Sequence, residues 1–380
     1  MKNNFKAIIK YPIILLFFSF LLIYLLINIF TPDRITDDLL NKPLQQKPIF
    51  SLKALAENKY TKDYEEYLKD QFAYKSSLVS AKGMVENILL KTENNNVWLG
   101  NNGYQFTKIL NINNEQLNKN INYVNKFASR HEGKVTFMVV PSSKMVLDNK
   151  MPKNAPYINE NTYIDDINNS INDTSEVIDV RNTLLHSNNE YIFYKTDHHW
   201  TTLGAYYAYL EFANSKGFTP FNLDENKKIE VDNFYGTTYS KSLYYNTEPD
   251  VLTYYDLPNK MQIMEFGADK KVISTKDVTM YDEAKLETRD KYGIFLYSNN
   301  TYSRISGNGE GSILIVKDSY ANCFIPFLTE NYETIDVVDL RALRGSVDFL
   351  IQENNYNDVL LLYSFETFVT DAPGLVYLNI

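Results

Sequence analysis

The stretch from Thr196 to Thr201 holds residue types that could do chemistry, because it contains a carboxylate and two of the four histidines of the chain. If the backbone is extended there, residues two apart point the same way, so Asp197 and His199 share a face while His198 turns to the other. A carboxylate beside an imidazole is an arrangement for acid–base chemistry. The alternative is a helix N-terminus capped by Thr201, whose polar neighbours bind backbone or water. This motif alone leaves both interpretations open.

A second motif, Lys317-Asp318-Ser319-Tyr320, directly follows the apolar run 313–316. Ligands of open parallel sheets bind beyond the carboxyl ends of the strands, so Ser319 lies where a nucleophile is useful. Its hydroxyl needs a base to remove the proton, and amides at the following helix start could receive an oxyanion. The alternative is that Asp318-Ser319 only caps this helix.

The small number of histidines narrows the choice of base. His131 lies at a helix-to-strand corner and His186 in a loop, which leaves His199, with Asp197 two residues before it. The sequence therefore predicts Ser319 as nucleophile, His199 as general acid/base and Asp197 as the group that fixes the imidazole tautomer. His198 is expected to have a structural role.

Other candidate functional sites have less support in the sequence. Asp197, His198 and His199 could ligate a metal ion, but adjacent histidines on opposite faces rarely converge, so we predict no metal site. Cys323 is the single cysteine, which excludes an intramolecular disulfide and a thiolate metal site, and its apolar neighbours indicate a buried thiol. No Gly-x-Gly-x-x-Gly motif or P-loop is present, and no cofactor is predicted.

The elements expected to position these motifs alternate between strand and helix. Continuous apolar runs predict strands, whereas wider apolar spacing predicts helices. This alternation predicts an α/β fold with a mostly parallel sheet covered by helices. Residues 218–303 interrupt it and are predicted to be a β- and loop-rich insertion. The predicted strands are 134–140, 176–180, 312–316, 334–340 and 359–363, with a strand-like run at 191–194, and the main predicted helices are 115–130, 203–215, 321–328 and 349–354.

The N-terminal sequence predicts a membrane anchor. Three lysines precede an uncharged run of about 20 residues, which is long enough to cross a bilayer. The lysines are expected to keep the N-terminus in the cytoplasm. A cleaved signal peptide is the alternative, but its small-residue cleavage site is missing. The formal net charge of −9 argues against nucleic-acid binding. The predicted segments are a cytoplasmic tail (1–10), a transmembrane signal anchor (11–30), a stalk (31–50) and an extracytoplasmic domain (51–380).

The chain resembles the DHHW proteins, relatives of the alginate O-acetylation proteins AlgJ and AlgX in the SGNH-hydrolase-like group. The resemblance implies a flavodoxin-like SGNH fold in which the Asp-x-His element, here Asp197 and His199, precedes the serine motif, here at Ser319. Lys317 stands where SGNH esterases have glycine. The motifs that carry the resemblance are 70–72, 97–106, 139–141, 196–205, 234–237, 316–328 and 335–341.

This resemblance implies a membrane-anchored O-acetyltransferase of an exported or cell-surface polysaccharide, which works through an acetyl-serine intermediate. A membrane-bound O-acyltransferase is the implied partner that supplies acetyl. Trp200 and Tyr320, next to the implied triad, are expected to contact substrate. The alternatives are a carbohydrate acetyl esterase and a non-catalytic glycan-binding or assembly protein on the same fold.

Overall fold

A computed structural model describes residues 11–37, 42–370 and 374–379 of the chain. These residues form two compact units. The first unit extends to Leu89 and includes Leu243–Tyr245, and the second contains Leu90–Ser242 and the residues from Asn246 onward. The predicted cytoplasmic tail, 1–10, lies outside the described residues.

The first unit is mainly helical. Its N-terminal helix is the one helix in the described ranges that is long and apolar enough to cross a membrane, a test that signal sequences also pass. The region predicted as a stalk contains a short antiparallel strand pair. The elements of this unit are α1 (Pro12–Phe30), β1 (Thr36–Asp37), β2 (Lys42–Pro43), α2 (Leu52–Ala56), α3 (Lys59–Asp70) and α4 (Lys75–Ile88).

The second unit is built around an eight-stranded sheet in which five neighbouring strands are parallel. Its strands and those of two small sheets are β3 (Glu93–Asn94), β4 (Val97–Leu99), β5 (Gln105–Thr107), β6 (Val135–Val140), β7 (Ser175–Val177), β8 (Lys228–Phe234), β9 (Asp250–Tyr255), β10 (Lys260–Phe266), β11 (Val272–Thr279), β12 (Tyr302–Ser306), β13 (Ser312–Lys317), β14 (Thr334–Val338) and β15 (Asp358–Ser364). The main sheet has the order β11-β10-β12-β14-β13-β15-β6-β7. The strands from β14 to β7 run parallel, and β12, β10 and β11 extend the sheet antiparallel.

Helices cover both faces of this sheet. They are α5 (Asn114–Arg130), α6 (Ser143–Val146), α7 (Glu160–Ser170), α8 (Arg181–His186), α9 (Thr202–Ser215), α10 (Thr237–Ser242), α11 (Leu340–Leu343), α12 (Asp348–Asn354) and α13 (Phe365–Thr370). Alternate residues of the central strand β13 point to opposite faces. Ile313 and Ile315 pack in the same cluster as residues of α9, while Leu314 and Val316 pack in the cluster that contains residues of α5. The central strands are therefore buried on both faces, as their unbroken apolar sequences predict.

Two local predictions are wrong. Residues 191–194 are not a strand of any sheet, and one isolated bridge joins Phe193 to Trp200. The predicted helix 321–328 is instead a pair of 3-10 turns, Ser319–Cys323 and Ile325–Glu330. Within 218–303, β8 and β9 form a separate ribbon, whereas β10 and β11 join the antiparallel end of the main sheet.

Candidate active site

Ser319 lies directly beyond the carboxyl end of β13, at the start of the first 3-10 turn. The preceding residue, Asp318, caps this turn by accepting a hydrogen bond from the backbone N–H of Tyr320 (2.9 Å). Its second carboxylate oxygen accepts from the backbone N–H and hydroxyl of Ser364, at the end of the neighbouring strand β15 (2.9 and 2.7 Å). Because Asp318 does the capping, the hydroxyl of Ser319 is available for another partner.

The partner of Ser319 is His199. Its Nε2 lies 2.8 Å from the Ser319 hydroxyl, and its Nδ1 lies 2.5 Å from Oδ1 of Asp197. The side chains of His199 and Asp197 are almost fully buried, with exposed fractions of 6% and 2%. The structure therefore brings together the three residues that the sequence selects, in the order of a nucleophile–base–carboxylate triad.

The local reason for this contact differs from the predicted one. Residues 196–199 are bent and not extended, and Oδ1 of Asp197 also accepts the backbone N–H of His199 (2.9 Å). This is a local side-chain-to-backbone contact of the kind that aspartate makes in turns. The prediction that His198 faces the other side is wrong, since its ring centroid lies 3.8 Å from that of His199.

His198 is instead a neighbour of the triad. Its Nδ1 contacts the hydroxyl of Thr237 (2.5 Å). Burial and the nearby His199 lower the pKa of His198 below its ordinary value, so the imidazole is neutral at neutral pH. A neutral ring here does not compete with His199 for the charge of the Asp197 carboxylate.

The second oxygen of Asp197 is held from the start of α10. Oδ2 accepts the backbone N–H and the hydroxyl of Thr237 (2.7 and 2.9 Å). Although burial raises the pKa of Asp197, the adjacent His199, the charge that His198 carries in acid and these hydrogen bonds outweigh it and hold that pKa well below its usual range. Asp197 is therefore an ionised, fully hydrogen-bonded carboxylate that can stabilise an imidazolium at His199.

Gly236 lets α10 approach Asp197 closely. A Cβ at position 236 would lie 2.2 Å from Cβ and 2.4 Å from Oδ2 of Asp197. We expect Gly236→Ala to displace the carboxylate, to reduce turnover strongly and to lower the free energy of unfolding by about 1–3 kcal/mol. Thermal unfolding and steady-state kinetics measure both effects. Gly345→Ala is the control, because its Cβ makes only an ordinary contact at 3.8 Å, and equal behaviour of the two variants would contradict the prediction.

Trp200 and Tyr320 pack beneath the triad. The Trp200 indole donates to the backbone carbonyl of Tyr320 (2.9 Å), and the Tyr320 hydroxyl donates to the backbone carbonyl of His198. Both side chains are buried, with exposed fractions of 0% and 1%. This corrects the expectation that they contact substrate: they join the two segments that carry the triad and do not face solvent.

Tyr292 is a site residue that the sequence analysis missed. Its ring stacks on the His199 imidazole (centroid distance 3.9 Å, interplanar angle 9°), and its hydroxyl donates to the backbone carbonyl of Ser319 (3.0 Å). It therefore restrains both the base and the nucleophile. No pattern near residue 292 indicates this role, because its partners lie 93 and 27 positions away in the chain.

Lys317, at the position where SGNH esterases have glycine, is buried and paired. Its buried ammonium donates to the side-chain oxygen of Asn299 (2.8 Å) and lies 3.9 Å from Asp339. Burial lowers the pKa of Lys317 to about 8, although Asp339 opposes that shift. Asn322, one turn after Ser319, donates to the backbone carbonyl of Ser298 (3.3 Å). The loop at 298–299 is thus attached to residues on both sides of the serine.

A metal ion would compete with the triad for the same atoms. Asp197, His198 and His199 each offer a ligand atom, and these atoms lie within 4.8 Å of one another. However, both oxygens of Asp197 accept hydrogen bonds, and both ring nitrogens of His199 contact triad partners. The geometry favours proton transfer over metal binding. Cys323 is fully buried, and burial raises the pKa of its thiol to about 12, so it is not an activated nucleophile.

Comparisons with known proteins agree with this fold. The profile of the DHHW protein family matches residues 87–338, which include all three triad residues. A search of curated proteins gave no match. A DHHW family protein from Eubacterium siraeum is 24% identical in sequence, with a TM-score of 0.61, over 75% of this chain and 96% of that one.

Two further solved structures are similar. Bacillus cereus PatB1 with a sulfonyl adduct is 18% identical, with a TM-score of 0.60, over 74% of this chain and 98% of that one. The O-acetyltransferase domain of Pseudomonas putida AlgJ is 12% identical, with a TM-score of 0.46, over 74% and 98% of the two chains. Similarity at these sequence identities concerns the fold alone, and the low TM-score of the AlgJ domain supports no conclusion about this chain. The predicted α/β class with a mostly parallel sheet is confirmed.

Proposed function

This chain belongs to the DHHW protein family, and from that premise we propose that it is an O-acetyltransferase that acetylates an exported or cell-surface polysaccharide. The observation that carries the proposal is the unbroken hydrogen-bonded series Ser319–His199–Asp197 at the carboxyl end of the parallel strands. Such a series activates a hydroxyl for acyl transfer. The resemblance to the alginate O-acetylation proteins in motif order supports acetyl as the acyl group and a polysaccharide as the acceptor.

The first half-reaction acetylates the enzyme. His199 Nε2 takes the proton of Ser319 while Oγ attacks the carbonyl carbon of the acetyl donor. The tetrahedral intermediate then collapses, and His199 returns that proton to the leaving group. Asp197 stabilises the imidazolium that exists between these two proton transfers. The product is an acetyl ester on Ser319 and a protonated leaving group.

The second half-reaction releases the acetyl group to the acceptor. His199 removes the proton of a sugar hydroxyl, whose oxygen attacks the acetyl-serine carbonyl, and the proton then returns to Ser319. If water takes the place of the sugar, the same residues hydrolyse the ester. The triad therefore serves a carbohydrate acetyl esterase equally well, and only the acceptor distinguishes the two activities.

We propose that α1 remains attached and anchors the enzyme in the cell membrane, with the N-terminus in the cytoplasm and the catalytic unit outside. The length and apolar composition of α1 and the three lysines before it support this topology. A membrane-bound O-acyltransferase that carries acetyl across the bilayer would supply the donor. The polysaccharide is the second partner, and no nucleic acid is involved.

The test is a partition experiment with the full-length chain in detergent. The protein is incubated with an activated acetyl ester and candidate cell-surface oligosaccharides, and mass spectrometry measures acetyl on the sugar against free acetate. We expect acetylated oligosaccharide to increase with acceptor concentration at the expense of acetate. Free acetate with no acetylated sugar at any acceptor concentration would identify an esterase. Turnover no faster than that of Ser319→Ala would contradict any enzymatic role.

A further inference from the structure

Helix α4 shows an inverted pattern of burial. Its two buried positions are small, Ser76 and Gly83, whereas five of its seven exposed side chains are apolar. We call these exposed side chains the apolar face of α4. In a helix packed in water the apolar side is the buried one, so this face needs a non-aqueous partner. The apolar face consists of Leu78, Ala81, Met84, Val85 and Ile88, and the four larger side chains are 43–65% exposed.

The turn before α4 is attached to α1. The backbone N–H of Ala73 donates to the side-chain oxygen of Asn28 (2.9 Å), and the hydroxyl of Tyr24 donates to the backbone carbonyl of Ala73. The ring of Phe72 packs on that of Tyr24, with centroids 5.2 Å apart. These contacts cover the one side of α1 that is not fully exposed.

The position of these contacts along α1 gives their depth in a bilayer that α1 spans. Asn28 and Tyr24 lie two and six residues before the end of α1 at Phe30, which corresponds to about 3 and 9 Å at 1.5 Å per residue. A bilayer core of about 30 Å takes up nearly the whole helix. Ala73 therefore lies below the outer end of a span formed by α1, while Gln71, which binds the backbone of Arg34 just beyond α1 (2.9 Å), lies near that end.

The same contacts account for polar atoms inside this apolar helix. An unpaired amide or hydroxyl in hydrocarbon costs free energy. Asn28 donates its amide to the backbone carbonyl of Tyr24 (2.9 Å) and accepts from Ala73, so both ends of its side chain are paired. The turn thus completes α1 as a membrane helix, which a segment that is removed after export would not need.

We propose that the turn 71–74 and the apolar face of α4 lie in the outer leaflet of the bilayer, so that lipid covers this face. The charged residue among the exposed positions, Lys82, pairs with Glu86 (3.6 Å), and its long, largely exposed side chain can extend to lipid headgroups. The inference rests on the proposed anchoring by α1 and is independent of acetyl transfer.

The consequence is that the first unit contacts the membrane through α4 as well as through α1. Two elements of the same compact unit contact the bilayer, and Leu89 at the end of α4 directly precedes the residues of the second unit. A second copy of the chain or a partner protein on the apolar face would exclude lipid from it.

Site-directed spin labelling of the full-length chain in nanodiscs with one chain per disc tests the inference. Nitroxides are placed on single cysteines introduced by Val85→Cys and Ile88→Cys, with Glu310→Cys, on an exposed loop, as the aqueous reference. The native Cys323 is fully buried, and unlabelled wild-type protein would verify that it does not react. We expect the labels at 85 and 88 to be more accessible to oxygen than to a nickel chelate, and the label at 310 to show the reverse.

Two outcomes would overturn the inference. Labels at 85 and 88 that are as accessible to the nickel chelate as the label at 310 would place the apolar face in water. Labels that are inaccessible to both reagents would place it against protein. The intact mass of the purified chain shows independently whether α1 is retained, and acetyl transfer by the same samples is measured separately. Failure of the anchor, of the lipid contact and of the enzymatic proposal are thus distinguishable.

Discussion

Replacing Ser319 with alanine is expected to reduce acetyl-transfer turnover by about 10⁴-fold or more. The hydroxyl that this change removes is the one 2.8 Å from Nε2 of His199. Without it, no acyl-enzyme forms, and any residual rate comes from binding and polarisation of the donor. The fold is expected to persist within about 1 kcal/mol, because Asp318 and not Ser319 caps the 3-10 turn.

Intact-mass spectrometry after a short incubation with an activated acetyl ester checks this directly. The wild-type chain is expected to gain one acetyl group, and a sulfonyl fluoride is expected to block that gain by occupying Ser319. The Ser319→Ala chain should gain neither group. Ser306→Ala, an exposed serine at the end of β12, is the matched control and should behave as wild type. A Ser319→Ala chain that keeps turnover within tenfold of the wild type would remove the nucleophile from the mechanism.

The sequence allows the sheet and the triad to be predicted because both depend on residue type more than on local conformation. The apolar runs that become β6, β13 and β15 can be buried on both faces only in a sheet covered by helices. The serine follows one of these runs, and four histidines leave few choices of base. Neither argument needs the exact course of the backbone between the elements.

The parts that could not be predicted depend on contacts between distant segments. The extended geometry assumed for 196–199 is replaced by a bend, which the carboxylate of Asp197 stabilises by binding the His199 backbone. Tyr292 reaches His199 from a 3-10 turn in the aromatic-rich region, where many tyrosines look alike in sequence. The antiparallel strands β10 and β11 join the sheet through pairing with β12, which no local pattern specifies.

Trp200 shows how position in a motif can mislead. It follows His199 directly, yet its side chain lies in the core, where its indole binds the carbonyl of Tyr320. A large aromatic residue next to a catalytic one is equally suited to binding a sugar ring or to filling the space beneath the triad. Only burial decides between these roles, and burial is a property of the folded chain.

Asp197→Asn is expected to reduce turnover by about 10⁴-fold while the chain still folds. Each carboxylate oxygen accepts a backbone N–H, from His199 on one side and from Thr237 on the other. An amide group therefore faces a backbone donor in either orientation. If it points toward His199, it favours the tautomer with the proton on Nε2, which cannot accept the proton of Ser319. In the other orientation the imidazolium still loses its counter-charge.

Asp197→Asn should also change how the stability of the fold depends on pH. Because the pKa of Asp197 is held below its ordinary value in the folded chain, its carboxylate stabilises the fold above about pH 4. That stabilisation disappears as the pH falls through the lowered pKa. Unfolding midpoints of wild type and Asp197→Asn should therefore differ at pH 7 and approach each other in acid.

Asp290→Asn is the matched control for both measurements. Its carboxylate is close enough to respond to the charges of Asp197 and His199, but it pairs with Lys285 (3.5 Å), and burial raises its pKa. The same chemical change there should alter turnover by less than about tenfold, since no triad hydrogen bond is lost. The pH-dependent part of its effect on the unfolding midpoint should have the opposite sign, because a raised pKa means that the ionised carboxylate destabilises the fold at pH 7 and that this destabilisation is relieved in acid. If Asp197→Asn were no slower than Asp290→Asn, the carboxylate would be structural, and His199 would act on Ser319 without it.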